Sequence, residues 1–270
     1  MTPLEERIAE LVRGGDLGGA VAIATGAVKE APSDIAVRWT LAELLTLQGE
    51  IERADGQLDT IMSLDARAAV SVVPLRHTLA AEAARRDFFR AGRVPEFLDG
   101  TPTEAMRLRL EAFVTFRAGD RARAWELVEA AEEARPRVVG KAGEATVTDF
   151  RDLDDIVAGV FEVLTPTGKY YWIPAERVER IEFERPATTL DLFWRSARMV
   201  VRDGFDAEVC LPAIYGTETG ADAASRLGRR TAWVGEPPGP VLGVGQRVYA
   251  LDADAEIPIL ELTTLELSPA

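Results

Sequence analysis

The strongest constraint on this chain of 270 residues is a glycine-containing turn that recurs after 34 residues. Gly15–Leu17 is followed by Ala20, Gly49–Ile51 is followed at the same spacing by Ala54, and Gly119-Asp120 repeats the turn. The flanking apolar residues recur every three or four positions, as on one face of a helix. A 34-residue period is that of the tetratricopeptide helix–turn–helix. The sequence therefore predicts tetratricopeptide-like helices, with an irregular helical bundle as the alternative.

In the second half the pattern changes to short segments in which apolar and polar residues alternate. Examples are Val160–Leu164, Arg180–Glu184 and Gln246–Leu251, which are bounded by proline and glycine turns. Alternation with a period of two indicates strands, and the turn residues between them favour antiparallel neighbours. We therefore predict an α+β chain: a tetratricopeptide-like α-helical domain over residues 1–140, followed by a small, mostly antiparallel β domain over residues 141–270.

Charge and composition exclude several classes of function. With 45 acidic and 31 basic side chains the net charge is −14, so we predict neither a nucleic acid nor a membrane as partner. The longest uncharged stretch, Leu17–Val28, is much shorter than the ~20 residues of a spanning helix, and no secretory signal is visible. Cys210 is the only cysteine, which excludes an internal disulfide, and a cytoplasmic location is predicted.

Motifs for catalysis are nearly absent. His77 is the only histidine, which excludes every scheme that needs two, and no Gly-x-Ser-x-Gly motif accompanies it. Cys210 lies between apolar residues and is interpreted as a buried strand position. The arginines between Arg85 and Arg93 follow helical spacing, which is typical of a solvated helix face. We predict that the protein is not an enzyme and has no catalytic residues, metal ligands or cofactor.

An acidic cluster near the start of the second half has two interpretations. Asp152 or Asp154 could cap a short helical turn before Ile156, or the cluster with Asp155 could hold Mg²⁺ or Ca²⁺ through carboxylate oxygens. There is no Asp-x-Asp-x-Asp-Gly loop, and Arg151 offsets the local negative charge. Capping is therefore favoured.

Three consecutive aromatic residues, Tyr170, Tyr171 and Trp172, lie in one predicted strand. In a strand Tyr170 and Trp172 face one side and Tyr171 faces the other. An aromatic ring that does not pack in the core of the sheet has two interpretations. It covers the helical half, or it binds a partner, since aromatic anchors dominate interface energies.

One segment in this region is especially selective: Glu162–Pro174, with the sequence EVLTPTGKYYWIP. Four other segments carry the same kind of signal: Ala36–Leu45, Gly49–Asp59, Asp149–Asp155 and Arg226–Arg229. Together these segments resemble the ImpE/TagJ family of type VI secretion system accessory proteins, and the resemblance covers almost the whole chain.

The resemblance implies a non-enzymatic, cytoplasmic accessory of the contractile secretion machine. Such a protein would bind the N-terminal helix of the small sheath subunit and modulate sheath assembly or recycling, with an indirect link to the AAA+ unfoldase that recycles the sheath. A partner helix could dock in a groove of the helical array or at the seam between the two halves.

We predict six partner-binding residues: Tyr170, Tyr171, Trp172, Asp152, Asp154 and Asp155. The aromatic side chains would supply anchors, and the acidic side chains favour a partner helix with Arg or Lys on its rim. Two alternatives remain open. One is a metal-assisted hydrolase with a site in the second half around these aspartates and Lys169, and the other is a general scaffold for another secretion component.

Overall fold

A computed structural model describes residues 2–217 and 221–270 of the chain. The first half is helical, and each helix packs against its neighbours in sequence. The helices are α1 (Pro3–Arg13), α2 (Leu17–Glu30), α3 (Ile35–Gln48), α4 (Ile51–Leu64), α5 (Ala69–Ala91), α6 (Glu104–Arg117) and α7 (Arg121–Ala134), and the short α8 (Ala223–Arg226) follows in the second half.

The three predicted turns all connect paired helices. Gly15, Gly49 and Gly119 have φ angles of 83°, 88° and 94°, a left-handed conformation that glycine adopts without steric cost. After the first turn, the Asp16 side chain caps α2 by accepting a 2.8 Å hydrogen bond from the Gly19 N–H. The alanine five residues after each turn glycine is fully buried: Ala20, Ala54 and Ala124. The predicted tetratricopeptide-like turns are therefore confirmed.

The second half contains one eight-stranded sheet, with the order β2-β1-β13-β6-β7-β8-β4-β5, and two smaller sheets, β9-β10 and β12-β11-β3. The strands are β1 (Val138–Ala142), β2 (Ala145–Val147), β3 (Arg151–Asp152), β4 (Val160–Leu164), β5 (Tyr170–Pro174), β6 (Val178–Phe183), β7 (Trp194–Val201), β8 (Asp206–Pro212), β9 (Thr231–Val234), β10 (Leu242–Gly245), β11 (Val248–Ala250), β12 (Glu256–Pro258) and β13 (Thr264–Pro269). Every pairing between these strands is antiparallel, and an isolated parallel bridge joins Glu96 to Tyr171 of β5. The predicted α+β fold class is confirmed.

Helix α5 joins the two halves. Its second half packs on β4 and β5, and Phe88 belongs to the same buried apolar cluster as Leu164 and Trp172. The edge of β5 is covered by the chain that leaves α5, since the Glu96 N–H donates to the Tyr170 carbonyl at 2.9 Å. Because the core is shared, the helical half positions the sheet directly. The domain border at residue 140 falls within β1 and stays a prediction.

Candidate functional site: a closed seam and an open groove

The aromatic triplet lies at the seam between α5 and the large sheet. Tyr170 and Trp172 are buried on the face of β5 that meets α5, whereas Tyr171 lies on the other face and is half-buried. The Trp172 ring packs edge-to-face on Phe88, with 5.1 Å between ring centroids, and Phe88 also contacts Phe113 at 4.7 Å. The two inward rings therefore cover the helical half, which was one of the two interpretations of the triplet.

A buried cluster of charges lies beside these rings. The Glu162 carboxylate, on β4, accepts hydrogen bonds from Arg85 of α5 at 3.0 Å and from Arg247. It also accepts the Tyr170 hydroxyl at 2.5 Å, and Tyr170 in turn accepts the Trp172 indole N–H at 2.6 Å. Burial alone would raise the pKa of Glu162, but the two guanidinium groups outweigh it and lower that pKa to about 2. Glu162 is therefore ionised and links the two halves.

On the helical side of the cluster, Arg85 has a second carboxylate partner. Glu82, one turn earlier on α5, accepts from Arg85 at 3.3 Å, from Arg86 at 3.1 Å and from the Trp194 indole at 3.2 Å. Arg85 is only 2% exposed. The prediction of a solvated arginine face is therefore wrong for Arg85, because carboxylates from a distant strand and from its own helix satisfy the buried guanidinium.

Asp152 and Asp154 extend the buried cluster into the smaller sheets. Asp152 accepts from Arg247 at 2.5 Å and from the Tyr215 hydroxyl at 2.8 Å. Asp154 accepts from the backbone N–H groups of Gly243 and Ile156, both at 2.9 Å. Burial and the neighbouring charge of Asp152 raise the pKa of Asp154 to about 7. Asp154 caps a turn at the predicted place, since its side chain accepts from Ile156 and the Val157 N–H donates to its carbonyl at 3.2 Å, but the turn does not continue into a helix.

The third aspartate is less deeply buried. Asp155 accepts from the Val241 N–H at 2.8 Å and pairs with Arg151 at 3.1 Å, and its side chain is 14% exposed. Of the six predicted partner-binding residues, only Tyr171 and Asp155 therefore retain partial exposure. Hydrogen bonds of the buried cluster connect three of the six residues. Tyr170 bonds Trp172 directly, and Glu162 and Arg247 connect Tyr170 to Asp152. A role of the six residues in partner binding stays a prediction.

The alternative of a metal site has its own structural test. Within residues 2–217 and 221–270, no group of three or more His, Cys, Asp and Glu side chains is arranged to hold a metal ion. Lys169 is exposed at the turn before β5, whereas Asp152 and Asp154 are buried.

His77 is exposed on α5, and its Nδ1 lies 2.6 Å from the Pro166 carbonyl oxygen. Cys210 is half-buried in β8, so its side chain is less enclosed than predicted.

An open groove of about 590 Å³ lies between α4 and the first half of α5. Its lining combines apolar and charged side chains: Ile51, Glu52, Asp55 and Met62 from α4, and Val73, Arg76, His77, Leu79, Ala80 and Ala83 from α5. Seven large apolar side chains are exposed in the described part of the chain, and three of them lie at one end of this helix pair: Leu64, Val70 and Val73. Of the three, Val73 lines the groove, and apolar surface exposed beside a groove can mark an interaction site.

Charged side chains cross the groove at its centre. Arg76 on α5 forms two hydrogen bonds with Asp55, at 2.7 and 2.9 Å, and a third with Asp59 at 3.0 Å. No described residue forms an ion pair with Glu52, which is exposed one turn before Asp55. Sequence reasoning expected a groove in the helical array but did not identify the helices that form it. The available signal was that Val70 and Val73 lie off the buried stripe that Val72 and Leu79 define.

Comparison with known proteins agrees with this arrangement. A tetratricopeptide repeat model matches residues 11–72, and the ImpE protein family model matches residues 144–266. The chain is 34% identical over 261 residues to the type VI secretion system accessory component TagJ of Pseudomonas aeruginosa, across 96% of this chain and 90% of that protein.

The fold also matches a solved structure. Protein VPA1032 from Vibrio parahaemolyticus superposes with a TM-score of 0.89 at 26% sequence identity, over 98% of this chain and 97% of the other. Tetratricopeptide-like helices joined to an antiparallel β region through a filled seam place the chain among tetratricopeptide-containing proteins, which is consistent with a protein-interaction role. The chain belongs to the ImpE/TagJ family of type VI secretion accessory proteins, so the family predicted from the sequence is confirmed. In the described residues, no helix combines the length and apolar composition needed to cross a bilayer.

Proposed function

We propose that this protein serves the type VI secretion system as an accessory adaptor that captures the N-terminal helix of the small contractile-sheath subunit. Its membership of the ImpE/TagJ family supports the accessory role. Capture of this helix would let the protein modulate sheath assembly, or sheath recycling through an indirect link to the AAA+ unfoldase. The proposed role is non-enzymatic and cytoplasmic.

The observation that carries the proposal is the open apolar groove between α4 and α5. Amphipathic helices bind by laying an apolar stripe into such a groove between helices. Val73 lines the groove with 37% of its surface exposed, and the neighbouring Val70 is 83% exposed. The other docking place considered, the seam, is filled by Tyr170 and Trp172 of the chain itself. A partner helix would therefore have to displace packed aromatic side chains at the seam, whereas at the groove it would meet the partly exposed ion pairs of Arg76.

Titration calorimetry with a synthetic peptide of the cognate subunit's N-terminal helix tests the proposal. We expect one-to-one binding with a Kd on the order of micromolar, which suits a reversible regulator. Val73→Asp places a charge in the apolar contact and should weaken binding at least about ten-fold. Val114→Asp is the matched control, because Val114 is 58% exposed on α6, outside the groove lining.

The outcomes separate the competing hypotheses. A folded wild-type protein that does not bind the peptide would overturn helix capture and favour a scaffold for another secretion component. Binding that Val73→Asp and Val114→Asp weaken equally would overturn the choice of groove. Thermal melts of both variants check that a loss of binding does not reflect unfolding. A divalent-metal scan in the same melts tests the hydrolase alternative, which predicts specific stabilisation by a metal.

A further inference from the structure

The α4–α5 groove differs in charge from one end to the other. Helices α4 and α5 are joined by only the residues between Leu64 and Ala69, so they run antiparallel and the end of α4 lies beside the start of α5. At that end, Leu64, Val70 and Val73 are exposed and apolar. The opposite end, near the start of α4, carries the carboxylate of Glu52.

Three carboxylates form a stripe along α4: Glu52 and Asp55 line the groove, and Asp59 lies next to it, hydrogen-bonded to Arg76. Glu52, Asp55 and Asp59 follow one another at three- and four-residue spacing, so they lie on one side of α4 over roughly 10 Å. The α5 side of the groove lining contributes Arg76 and His77 and no carboxylate. The stripe therefore gives α4 the acidic wall of the groove.

Arg76 neutralises only part of this stripe. Its guanidinium contacts Asp55 and Asp59, at distances between 2.7 and 3.0 Å, and its side chain is 31% exposed. Glu52 lies beyond this contact and has no ion-pair partner among the described residues. Three carboxylates and one guanidinium leave a formal charge of −2 on the stripe: Asp55 and Asp59 share one negative charge, and Glu52 carries the other at the end away from the exposed valines.

We propose that the groove is specific for an amphipathic helix that carries a lysine or arginine at the end that docks beside Glu52 and apolar residues at the end beside Val73. This inference rests on the proposed function and adds the chemistry and the direction of the bound helix. A lysine or arginine that docks beside Glu52 would form an ion pair with a carboxylate that has no other partner among the described residues. A helix bound in the reverse direction would instead place its cation among the apolar side chains of Leu64, Val70 and Val73. Charge complementarity thus selects both the partner and its orientation.

Charge-reversal variants of the full-length protein test this proposal with the same sheath-subunit peptide. Glu52→Lys should weaken binding about five- to ten-fold, because an attractive contact becomes repulsive. Glu144→Lys is the matched control, since Glu144 is exposed at the turn between β1 and β2 and the change in net charge is identical. Arg76→Gln should act in the opposite direction and strengthen binding about two- to five-fold at low salt.

Two further measurements locate the effect on the peptide. A peptide whose basic residues are replaced by glutamine should bind wild-type protein more weakly than the native peptide does, and Glu52→Lys should not weaken its binding further. Raising the salt from about 50 mM to about 500 mM should weaken the wild-type complex more than the Glu52→Lys complex.

The failures are distinguishable. If wild-type protein does not bind the native peptide, the proposed function and this inference both fall. If the peptide binds and Glu52→Lys behaves like Glu144→Lys, helix capture stands and the charge specificity is overturned. If Arg76→Gln weakens binding and Glu52→Lys does not, Arg76 itself contacts the partner, and the inferred orientation is wrong.

Discussion

The two halves of helix α5 lie in opposite environments. In its second half, Glu82, Arg85 and Phe88 are almost fully buried against the β region. In its first half, Val70 and Val73 remain exposed beside α4. One continuous helix thus presents a closed seam and an open groove.

The buried and the exposed charged side chains of these two regions differ in their partners. At the seam, Arg85 contacts two carboxylates and Glu162 contacts two guanidinium groups, since a buried charge without partners is very costly. At the groove, solvent lowers that cost, and Glu52 persists without a described ion-pair partner. Removing one partner from the buried network would leave an uncompensated charge in the core, whereas the exposed carboxylate at the groove is available to a partner.

Arg247→Met should produce the largest loss of stability at the closed side. Arg247 contacts both Asp152 and Glu162 in the core, and its removal leaves buried carboxylates short of a partner. We expect a loss of about 3–5 kcal/mol in the free energy of unfolding, measured by chemical denaturation. Arg198→Met is the matched control, because the Arg198–Asp206 pair is about half exposed and its loss should change the free energy of unfolding far less. Similar losses in the two variants would contradict the proposed difference between buried and exposed pairs.

The pH dependence of stability tests Glu162 itself. Its pKa is lowered from 4.5 to about 2 in the folded state, so the stabilisation is complete above about pH 4.5 and disappears as the pH falls toward about 2. The contribution is on the order of 3 kcal/mol. The destabilisation caused by Glu162→Gln should accordingly shrink as the pH falls through this window. Denaturation of both proteins at several pH values measures it, and a constant difference would show that the charge of Glu162 is not the cause.

A small stabilisation is expected on the open side from Gly56→Ala in α4. A Cβ atom at Gly56 would meet nothing within 4 Å, so the change should add about 0.5–1 kcal/mol through helix propensity alone. Gly49→Ala should do the opposite, because Gly49 is left-handed and its Cβ would lie 2.5 Å from the Arg86 guanidinium. Thermal melts compare the two variants. Destabilisation by Gly56→Ala would mean that this face of α4 is already covered.

Local features of the fold were predictable from the sequence. The turn glycines Gly15 and Gly49 have the left-handed conformation that a helical repeat requires, and the segment Val160–Leu164 coincides with β4. The predicted strand Arg180–Glu184 corresponds to β6, which begins two residues earlier at Val178. Such features follow from neighbours within a few residues, where periodicity and turn chemistry act directly.

The seam was only partly predictable. The position of Glu162 within an otherwise apolar segment was a signal for a buried charge that sequence reasoning did not use. Its partners could not be read from the chain, because Arg85 lies 77 residues before it and Arg247 lies 85 residues after it. Helical spacing alone made Arg85 look solvated, since the pattern does not specify which helix face the sheet will cover.

The sequence by itself determined the helical repeat, the antiparallel β region and the family, because these depend on short-range patterns and on one selective segment, Glu162–Pro174. Only the tertiary structure decided that Tyr170, Trp172 and Asp152 are buried and that the groove between α4 and α5 is open. The physical reason is that burial depends on which surfaces meet. Those surfaces belong to residues far apart in the chain. When they meet, apolar area is removed from water on both sides, and each buried charge finds a partner on the other side.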